Sequence, residues 1–183
     1  MEQGWLGDLR SQDSAYSSTT AQTTRCRTGV HVWNCHNNSI AVKSMKRVCQ
    51  QILRDINHAQ REPVKHLSII LGDFNIAPED RDVYDPEKWG EEVLCSPKER
   101  QALSKMTDLG FVDVFRLFDQ DEKSFSWWDY RAASFRRNAG VRIDLILANK
   151  SLSKKCVKSV IDREPRAWER PSDHTPVVAQ FDI

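Results

Sequence analysis

The 183-residue chain has few of the features that mark secreted, membrane-bound or zinc-binding proteins. Its five cysteines are scattered, odd in number and without a CxxC spacing, which argues against a disulfide framework or a zinc site and favours a reducing compartment. No apolar run approaches the length needed to cross a bilayer. The opening residues, MEQGWLGDLR, have neither the basic nor the apolar segment of a secretory signal. These absences predict a cytoplasmic protein with no membrane partner.

The chain also has no excess of positive or negative charge, since the formal net charge is +1. The charges are unevenly distributed, however. Residues 79–92 carry seven acidic residues against two basic ones, and residues 123–142 carry five basic residues against one acidic. A basic patch next to acidic clusters is compatible with a nuclease, whose acids hold metal and whose bases hold phosphate. Two solvated surface runs are the alternative, and on charge alone that alternative is favoured.

The chain is long enough for one domain with a core but short for two. Residues 1–29 are polar and rich in Ser, Thr and Gln, which predicts a poorly ordered lead-in before a single partial domain over residues 30–183. A short strand is predicted over residues 30–32. Apolar residues at steps of three and four between Val42 and Ile56 predict an amphipathic helix.

The second half of the chain alternates between strands and helices. The apolar run from Leu67 to Leu71 predicts a strand buried on both faces, and a helix is predicted over roughly residues 97–109, closed by Gly110. Residues 111–118 are predicted as strand or turn and SFSWWDY as an aromatic loop. Three more strands are predicted in VRIDLILAN, VKSVIDR and the last residues. This alternation indicates an α/β fold.

Three of the predicted strands end in residues that can carry chemistry. Asp73 and Asn75 follow the strand before Gly72, Asp144 lies in RID, and Asp173 and His174 lie in SDH. Polar residues where apolar strands end are often functional, because a rigid sheet then holds them. Each alone has a structural alternative: a turn with an Asp cap, an ion pair in RID, or a structural histidine. Together they predict one site.

The order of these motifs points to a family. GDFN, SFSWWDYR, RIDLIL and ERPSDHTPV follow one another from about Ile69 to the last residue. This order resembles the exonuclease III branch of the endonuclease/exonuclease/phosphatase superfamily. The resemblance implies half of a deoxyribonuclease I-like four-layer α/β sandwich, with two packed mixed sheets flanked by helices. It also implies a metal-dependent DNA phosphodiesterase of base excision repair, acting as a 3′→5′ exonuclease and abasic-site endonuclease.

The resemblance implies a role for each strand-end residue. Asp73 would hold the attacking water or accept its proton, and Asn75 would bind and polarise the phosphate. Asp144 would orient His174, which would stabilise the charge that develops on the phosphate. The implied metal ligands are Asp73, Asn75, Asp173 and His174. Such oxygen-rich ligands favour Mg²⁺ or Mn²⁺ over zinc.

The aromatic–arginine segment resembles the substrate-contacting part of the family. The residues implied to bind DNA are Trp127, Trp128, Tyr130, Arg131, Arg136, Arg137 and Asn138. Aromatic side chains beside arginine suit stacking at an unpaired nucleotide and contact with phosphates. Core packing is the alternative for the tryptophans, and for one of the pair it carries equal weight. The implied partner is duplex DNA with an abasic site or a 3′ end, bound by a full-length protein that is monomeric.

The first forty residues depart from the family pattern. No Gln-Glu-Thr motif, which carries the family's metal-binding glutamate, precedes GDFN. The strand expected to carry the family's catalytic tyrosine has none, and His31 lies nearest. We therefore assign residues 1–40 no catalytic role and expect that the family's N-terminal half is missing or divergent. A catalytically impaired remnant that at most binds DNA is the second hypothesis, and a related lipid or nucleotide phosphatase is the third.

Overall fold

The computed structural model of the chain describes residues 22–25, 30–36, 50, 54, 67–90 and 93–183. Within these residues, five strands form one sheet in the order β1-β2-β3-β5-β4, in which β2 and β3 are parallel and the other neighbours are antiparallel. Two more strands, β6 and β7, form a separate antiparallel sheet. The strands are β1 Gln22–Arg25, β2 Val30–His36, β3 Leu67–Asp73, β4 Phe111–Asp113, β5 Asp144–Asn149, β6 Cys156–Ile161 and β7 Val177–Phe181.

Among the helices whose bounds lie within the described residues, one is longer than four residues. They are α1 Pro86–Trp89, α2 Pro97–Asp108 and α3 Lys150–Ser153, and 3-10 turns lie at Asp80–Asp82, Val114–Leu117, Arg131–Ala133 and Glu164–Ala167. Helix α2 begins with a capping box in which the Ser96 and Glu99 side chains each accept a backbone N–H of the other residue. It ends before Gly110, whose φ of 91° favours glycine. The helix predicted over residues 97–109 is confirmed.

Strands β3 and β5 form the centre of the fold, with a different layer on each face. On one face Ile70, Leu145 and Leu147 pack with apolar side chains of α2 such as Met106. On the other face Ile69, Ile146 and Ala148 pack toward Val177, Ala179 and Phe181 of β7. The strand predicted to be buried on both faces is thus confirmed. It is buried because a helix covers one side and a second sheet the other.

Of the predicted lead-in over residues 1–29, only residues 22–25 are among the described residues, and the rest of that prediction lies outside them. Gln22–Arg25 forms a strand although residues 1–29 were expected to be poorly ordered, because Thr23 and Thr24 favour extended backbone and pair with β2. Strand β2 also runs to His36, beyond the predicted residues 30–32. Apart from helical Gln50 and Arg54, the helix predicted between Val42 and Ile56 lies outside the described residues. No helix among the described residues is long and apolar enough to cross a membrane.

A buried ion cluster ties the loop after β3 to the start of β5. Arg142 and Asp82 are each only 1% exposed, and Arg142 Nε lies 2.6 Å from Asp82 Oδ1. The same guanidinium contacts Asp113 Oδ2 at 2.8 Å, and Arg116 also pairs with Asp82. Burial alone would lower the pKa of Arg142, but its attraction to Asp113 and Asp82 raises it overall. The ion pair considered as the alternative for RID therefore exists at Arg142.

The described acidic residues of the run at 79–92 that have partners form ion pairs and a helix cap, and none of these partners belongs to the candidate site. Glu79 pairs with Arg81 and Asp80 with Arg100, all near the surface. Asp85 accepts a hydrogen bond from the Lys88 N–H and thereby caps α1. The structural alternative is therefore favoured for Glu79, Asp80, Asp82 and Asp85, because protein cations or an N–H group already engage them.

Candidate active site

The ends of β3 and β5 place two carboxylates side by side. Asp73 is the last residue of β3 and Asp144 the first of β5, and the two are direct partners in the antiparallel ladder. Directly opposed residues project from the same face of a sheet, so both carboxylates lie on one side of it. Asp73 follows the apolar run of β3, and Asp144 directly precedes the apolar run of β5.

Asn75 is held against Asp73 by two hydrogen bonds. The Asn75 backbone N–H donates to Asp73 Oδ1 at 2.8 Å, and its side-chain amide donates to Oδ2 at 3.0 Å. Asn75 has a φ of 50°, in the left-handed region that asparagine tolerates better than most residues. The sharp turn after β3 thus fixes the carboxylate and the amide as one unit.

His174 is paired with Asp144. Its Nδ1 lies 2.9 Å from Asp144 Oδ2, with 32% of the histidine side chain and 19% of the aspartate side chain exposed. Burial lowers the pKa of His174, but the hydrogen bond and charge of Asp144, together with the charges of Asp73 and Asp173, raise it overall. The pair therefore favours an imidazolium ion that remains partly open to solvent.

The loop before β7 is fixed by Trp127. The indole Nε1–H donates to Asp173 Oδ2 at 2.9 Å, and the backbone of Trp127 forms a bridge with His174. The Trp128 N–H also donates to the Asp173 carbonyl at 3.0 Å. These bonds bring the SDH motif to the ends of β3 and β5. Five predicted residues meet in one place: Asp73, Asn75, Asp144, Asp173 and His174.

The site contains the oxygen donors that a hard cation prefers, but not a complete ligand set. Within the described parts of the chain, no group of three His, Cys, Asp or Glu side chains is arranged to hold a metal ion. Asp73 and Asp173 are each engaged by neutral donors, the Asn75 amide and the Trp127 indole. The described residues alone therefore do not build a metal centre, and any cation would need further ligands.

Trp128 was predicted to bind DNA, and the structure places it in the core instead. It is 0% exposed, stacks edge-on against Phe135 at 5.1 Å and donates from Nε1 to Asn138 Oδ1. A side chain added at Gly140 would have its Cβ 2.4 Å from Trp128 Nε1, so only glycine leaves room for the indole. The assignment of Trp128 to DNA is therefore wrong, and core packing holds for this member of the pair.

Asn138 is also engaged by the protein. Its amide accepts from Trp128 and donates to the Lys123 carbonyl at 3.0 Å, so its predicted contact with DNA is not favoured. By contrast, Tyr130 is 61% exposed, and its hydroxyl donates to the Pro171 carbonyl. Arg131, Arg136 and Arg137 are all exposed, and the guanidinium of Arg131 forms an ion pair with Asp129.

Three contributors to this region were not predicted. Arg163 lies over the Trp128 and Phe135 rings, and Arg166 lies over the Tyr130 and Phe135 rings. These contacts fasten the turn at Glu164–Ala167 to the aromatic segment. Ser126, which is fully buried, holds the start of β5. No spacing in the sequence marks any of the three, because their partners lie far away along the chain.

Comparison with known proteins agrees with the motif order. The model of the endonuclease/exonuclease/phosphatase family matches residues 11–174, and the chain belongs to this family. Exodeoxyribonuclease III of Haemophilus influenzae is 37% identical over 131 residues, which cover 68% of this chain and 48% of that protein. The chain spans about half the length of the curated relatives it matches.

Two solved structures share the fold. An AP endonuclease from Archaeoglobus fulgidus matches with a TM-score of 0.72 and 33% identity, covering 88% of this chain and 64% of that one. The 3′ phosphatase NExo from Neisseria, bound to a product DNA hairpin, matches with a TM-score of 0.71 and 38% identity, covering 85% and 62%. The predicted deoxyribonuclease I-like fold class is confirmed.

Proposed function

We propose that the chain is a metal-dependent DNA phosphodiesterase of exonuclease III type, cutting at 3′ ends and abasic sites in base excision repair. The observation that carries the proposal is the His174–Asp144 pair beside the Asp73–Asn75 unit, in a position open to solvent. Relatives named as an exodeoxyribonuclease III and an AP endonuclease support the choice of DNA as substrate.

The residues of this chain divide the reaction between them. Water attacks phosphorus and its proton passes to Asp73, while the bond from phosphorus to the leaving oxygen breaks and that oxygen takes up a proton from solvent. Asp73 is the proposed acceptor of that proton, because it is a carboxylate that two hydrogen bonds from Asn75 hold at the end of β3. Since Asp144 engages Nδ1 of His174, Nε2 is the nitrogen that would donate to a non-bridging oxygen.

A divalent cation, Mg²⁺ or Mn²⁺, would neutralise phosphate charge and lower the pKa of water when bound. Asp73, Asn75 and Asp173 remain the proposed residues around it. His174, predicted as a further ligand, has no nitrogen left for the cation when Nδ1 engages Asp144 and Nε2 donates to the phosphate. Because the described residues do not complete a ligand set, we assign no step to the cation.

Exposed side chains beside the site would bind the substrate. Tyr130, Arg136 and Arg137 lie at the surface, and the partly buried Trp127 contacts the SDH motif directly. The proposed partner is duplex DNA, consistent with the DNA hairpin bound by the Neisseria relative. A cytoplasmic, monomeric full-length protein remains part of this proposal.

The test is cleavage of a duplex with one abasic site, labelled at its 5′ end, by the chain in Mg²⁺, in Mn²⁺ and after exhaustive chelation with EDTA. We expect cleavage in either metal and none in EDTA. We expect His174→Ala to slow cleavage by roughly 10²–10³-fold, the usual effect of losing one donor to a developing charge. Full activity in EDTA, or in His174→Ala, would refute the mechanism.

A catalytically impaired chain that at most binds DNA is the second candidate. The incomplete metal ligand set of the described residues favours it. It predicts binding to the abasic duplex without cleavage in any metal. A related lipid or nucleotide phosphatase is less favoured, because the arginine-rich aromatic segment suits DNA.

A further inference from the structure

Ser126 lies at the junction of the candidate site and has no role assigned to it so far. It is 0% exposed, and its hydroxyl oxygen accepts hydrogen bonds from the backbone N–H groups of Ile143 and Asp144, both at 3.1 Å. Ile143 is the last residue before β5, and Asp144 is the first residue of β5. One buried hydroxyl therefore holds the backbone from which the Asp144 side chain projects.

The backbone of the same residue holds the other half of the pair. The Thr175 N–H donates to the Ser126 carbonyl at 2.8 Å, immediately after His174. The Ser126 N–H itself donates to the Val141 carbonyl at 3.2 Å. Ser126 thus joins the segment carrying Asp144 to the segment carrying His174, which are 30 positions apart in the chain.

We propose that the Ser126 hydroxyl is a positioning group that sets the geometry of the Asp144–His174 pair. In this proposal, which rests on the proposed function for its catalytic meaning, Ser126 touches no substrate. It acts through Asp144. Residues that orient a reacting side chain from behind typically alter activity by about 10–100-fold when removed.

The physical reason lies in the two N–H groups. A buried backbone donor needs a partner, and at this position one oxygen satisfies two donors at once. If the hydroxyl is removed, Ile143 and Asp144 must find other acceptors, and the start of β5 must shift to reach them. Asp144 would move with it, whereas His174 would remain held through the Thr175–Ser126 backbone bond, which any residue at position 126 can make.

The test compares two buried serines that differ in their contacts. Ser126→Ala removes the bridging oxygen, while Ser159→Ala makes the same change at a residue that is 2% exposed and whose hydroxyl is without a hydrogen-bond partner. Ser126→Cys keeps the side-chain volume nearly constant with a weaker acceptor, and serves if the alanine variant fails to fold. Ser126→Thr retains the hydroxyl.

The first readout is the NMR signal of the His174 Nδ1–H group, recorded at one pH in EDTA and assigned by its loss in His174→Gln. We expect this signal to weaken or shift in Ser126→Ala and Ser126→Cys, and to stay in Ser126→Thr and Ser159→Ala. The signal needs no cleavage, so it decides the proposal even if the proposed nuclease function fails. An unchanged signal in both Ser126→Ala and Ser126→Cys would overturn it.

The second readout is the kinetics of cleavage of the abasic duplex by the folded variants. We expect kcat to fall by about 10–100-fold in Ser126→Ala with KM nearly constant, because substrate contacts are intact. Ser159→Ala should cleave like the parent. A fall in kcat of the same size in Ser159→Ala would also contradict the proposal, because it would show a general effect of buried truncation.

Discussion

Two clusters of charged residues meet in the chain at Arg142 and Asp144, two positions apart, and they have opposite surroundings. In the buried ion cluster, Asp82 and Arg142 are each 1% exposed, and the carboxylates of Asp82 and Asp113 face arginines. In the candidate site, Asp144 and His174 are partly exposed, and Asp73 and Asp173 accept from the neutral Asn75 amide and Trp127 indole.

The difference shows how carboxylates that stabilise the fold can be distinguished from carboxylates that are available to a ligand. A carboxylate that faces an arginine has its charge compensated inside the protein, so little of it is left for a ligand. A carboxylate held by a neutral donor is oriented and keeps its charge. The RID motif contributes to both clusters, since Arg142 belongs to the buried ion cluster and Asp144, which pairs with His174, belongs to the site.

The largest expected effect comes from breaking the buried ion cluster. Arg142→Met should destabilise the chain by roughly 3–5 kcal/mol, because it leaves Asp82 and Asp113 buried without this counter-charge. Urea unfolding followed by circular dichroism measures the effect. Arg81→Met, which breaks an exposed pair with Glu79, is the matched control and should change stability little. Equal losses in the two variants would remove the contrast between buried and exposed pairs.

An effect on binding is expected from the surface arginines. Replacing Arg131, Arg136 and Arg137 with Ala should weaken binding of an abasic duplex at low salt and flatten its salt dependence. Each lost phosphate contact lowers the log–log slope by about 0.9. Fluorescence anisotropy at two salt concentrations measures this. Because Arg131 is held by Asp129, we expect Arg136 and Arg137 to carry most of the change.

The same titration has an internal control. Asp144→Ala should bind DNA as well as the parent or slightly better, because it removes negative charge near the phosphate path. If the triple arginine variant binds like the parent at both salt concentrations, this segment does not bind DNA.

The smallest expected effect is on the protonation of His174. Asp144 raises the pKa of the imidazole, so Asp144→Asn should lower it. The raised pKa stabilises the folded chain below the ordinary histidine value, and that contribution disappears as the pH rises through the folded-state pKa. NMR titration of His174 in EDTA, in parent and variant, measures the shift. An unchanged pKa would mean that the 2.9 Å pair has no electrostatic effect.

Much of the site could be predicted from sequence because its residues end apolar runs. Asp73 and Asp144 are found at the points where β3 and β5 leave the core. The sequence could not show that Trp128 and Asn138 are engaged within the protein while Trp127 and Tyr130 remain partly or largely exposed. An aromatic loop has no periodicity that indicates which side chain is buried. The roles of Ser126 and Arg166 depend on partners far away in the chain, so no local pattern reveals them.

Strand β1 was missed for a related reason. Its sequence, QTTR, is short and polar, and only pairing with β2 makes it a strand. Edge strands of this kind have little apolar periodicity. The longer and more apolar strands β3 and β5 were predicted because burial on both faces leaves a continuous apolar run.

The most direct test of the account makes the same substitution in each cluster and measures two properties. Asp73→Asn and Asp82→Asn both remove one negative charge at nearly constant volume. We predict that Asp73→Asn abolishes cleavage of an abasic duplex in Mg²⁺ while its urea midpoint stays near that of the parent. Asp82→Asn should lower the midpoint strongly, whereas the protein that remains folded still cleaves. Cleavage at the parental rate by Asp73→Asn, or a loss of stability equal to that of Asp82→Asn, would contradict the division of the two clusters into chemistry and structure.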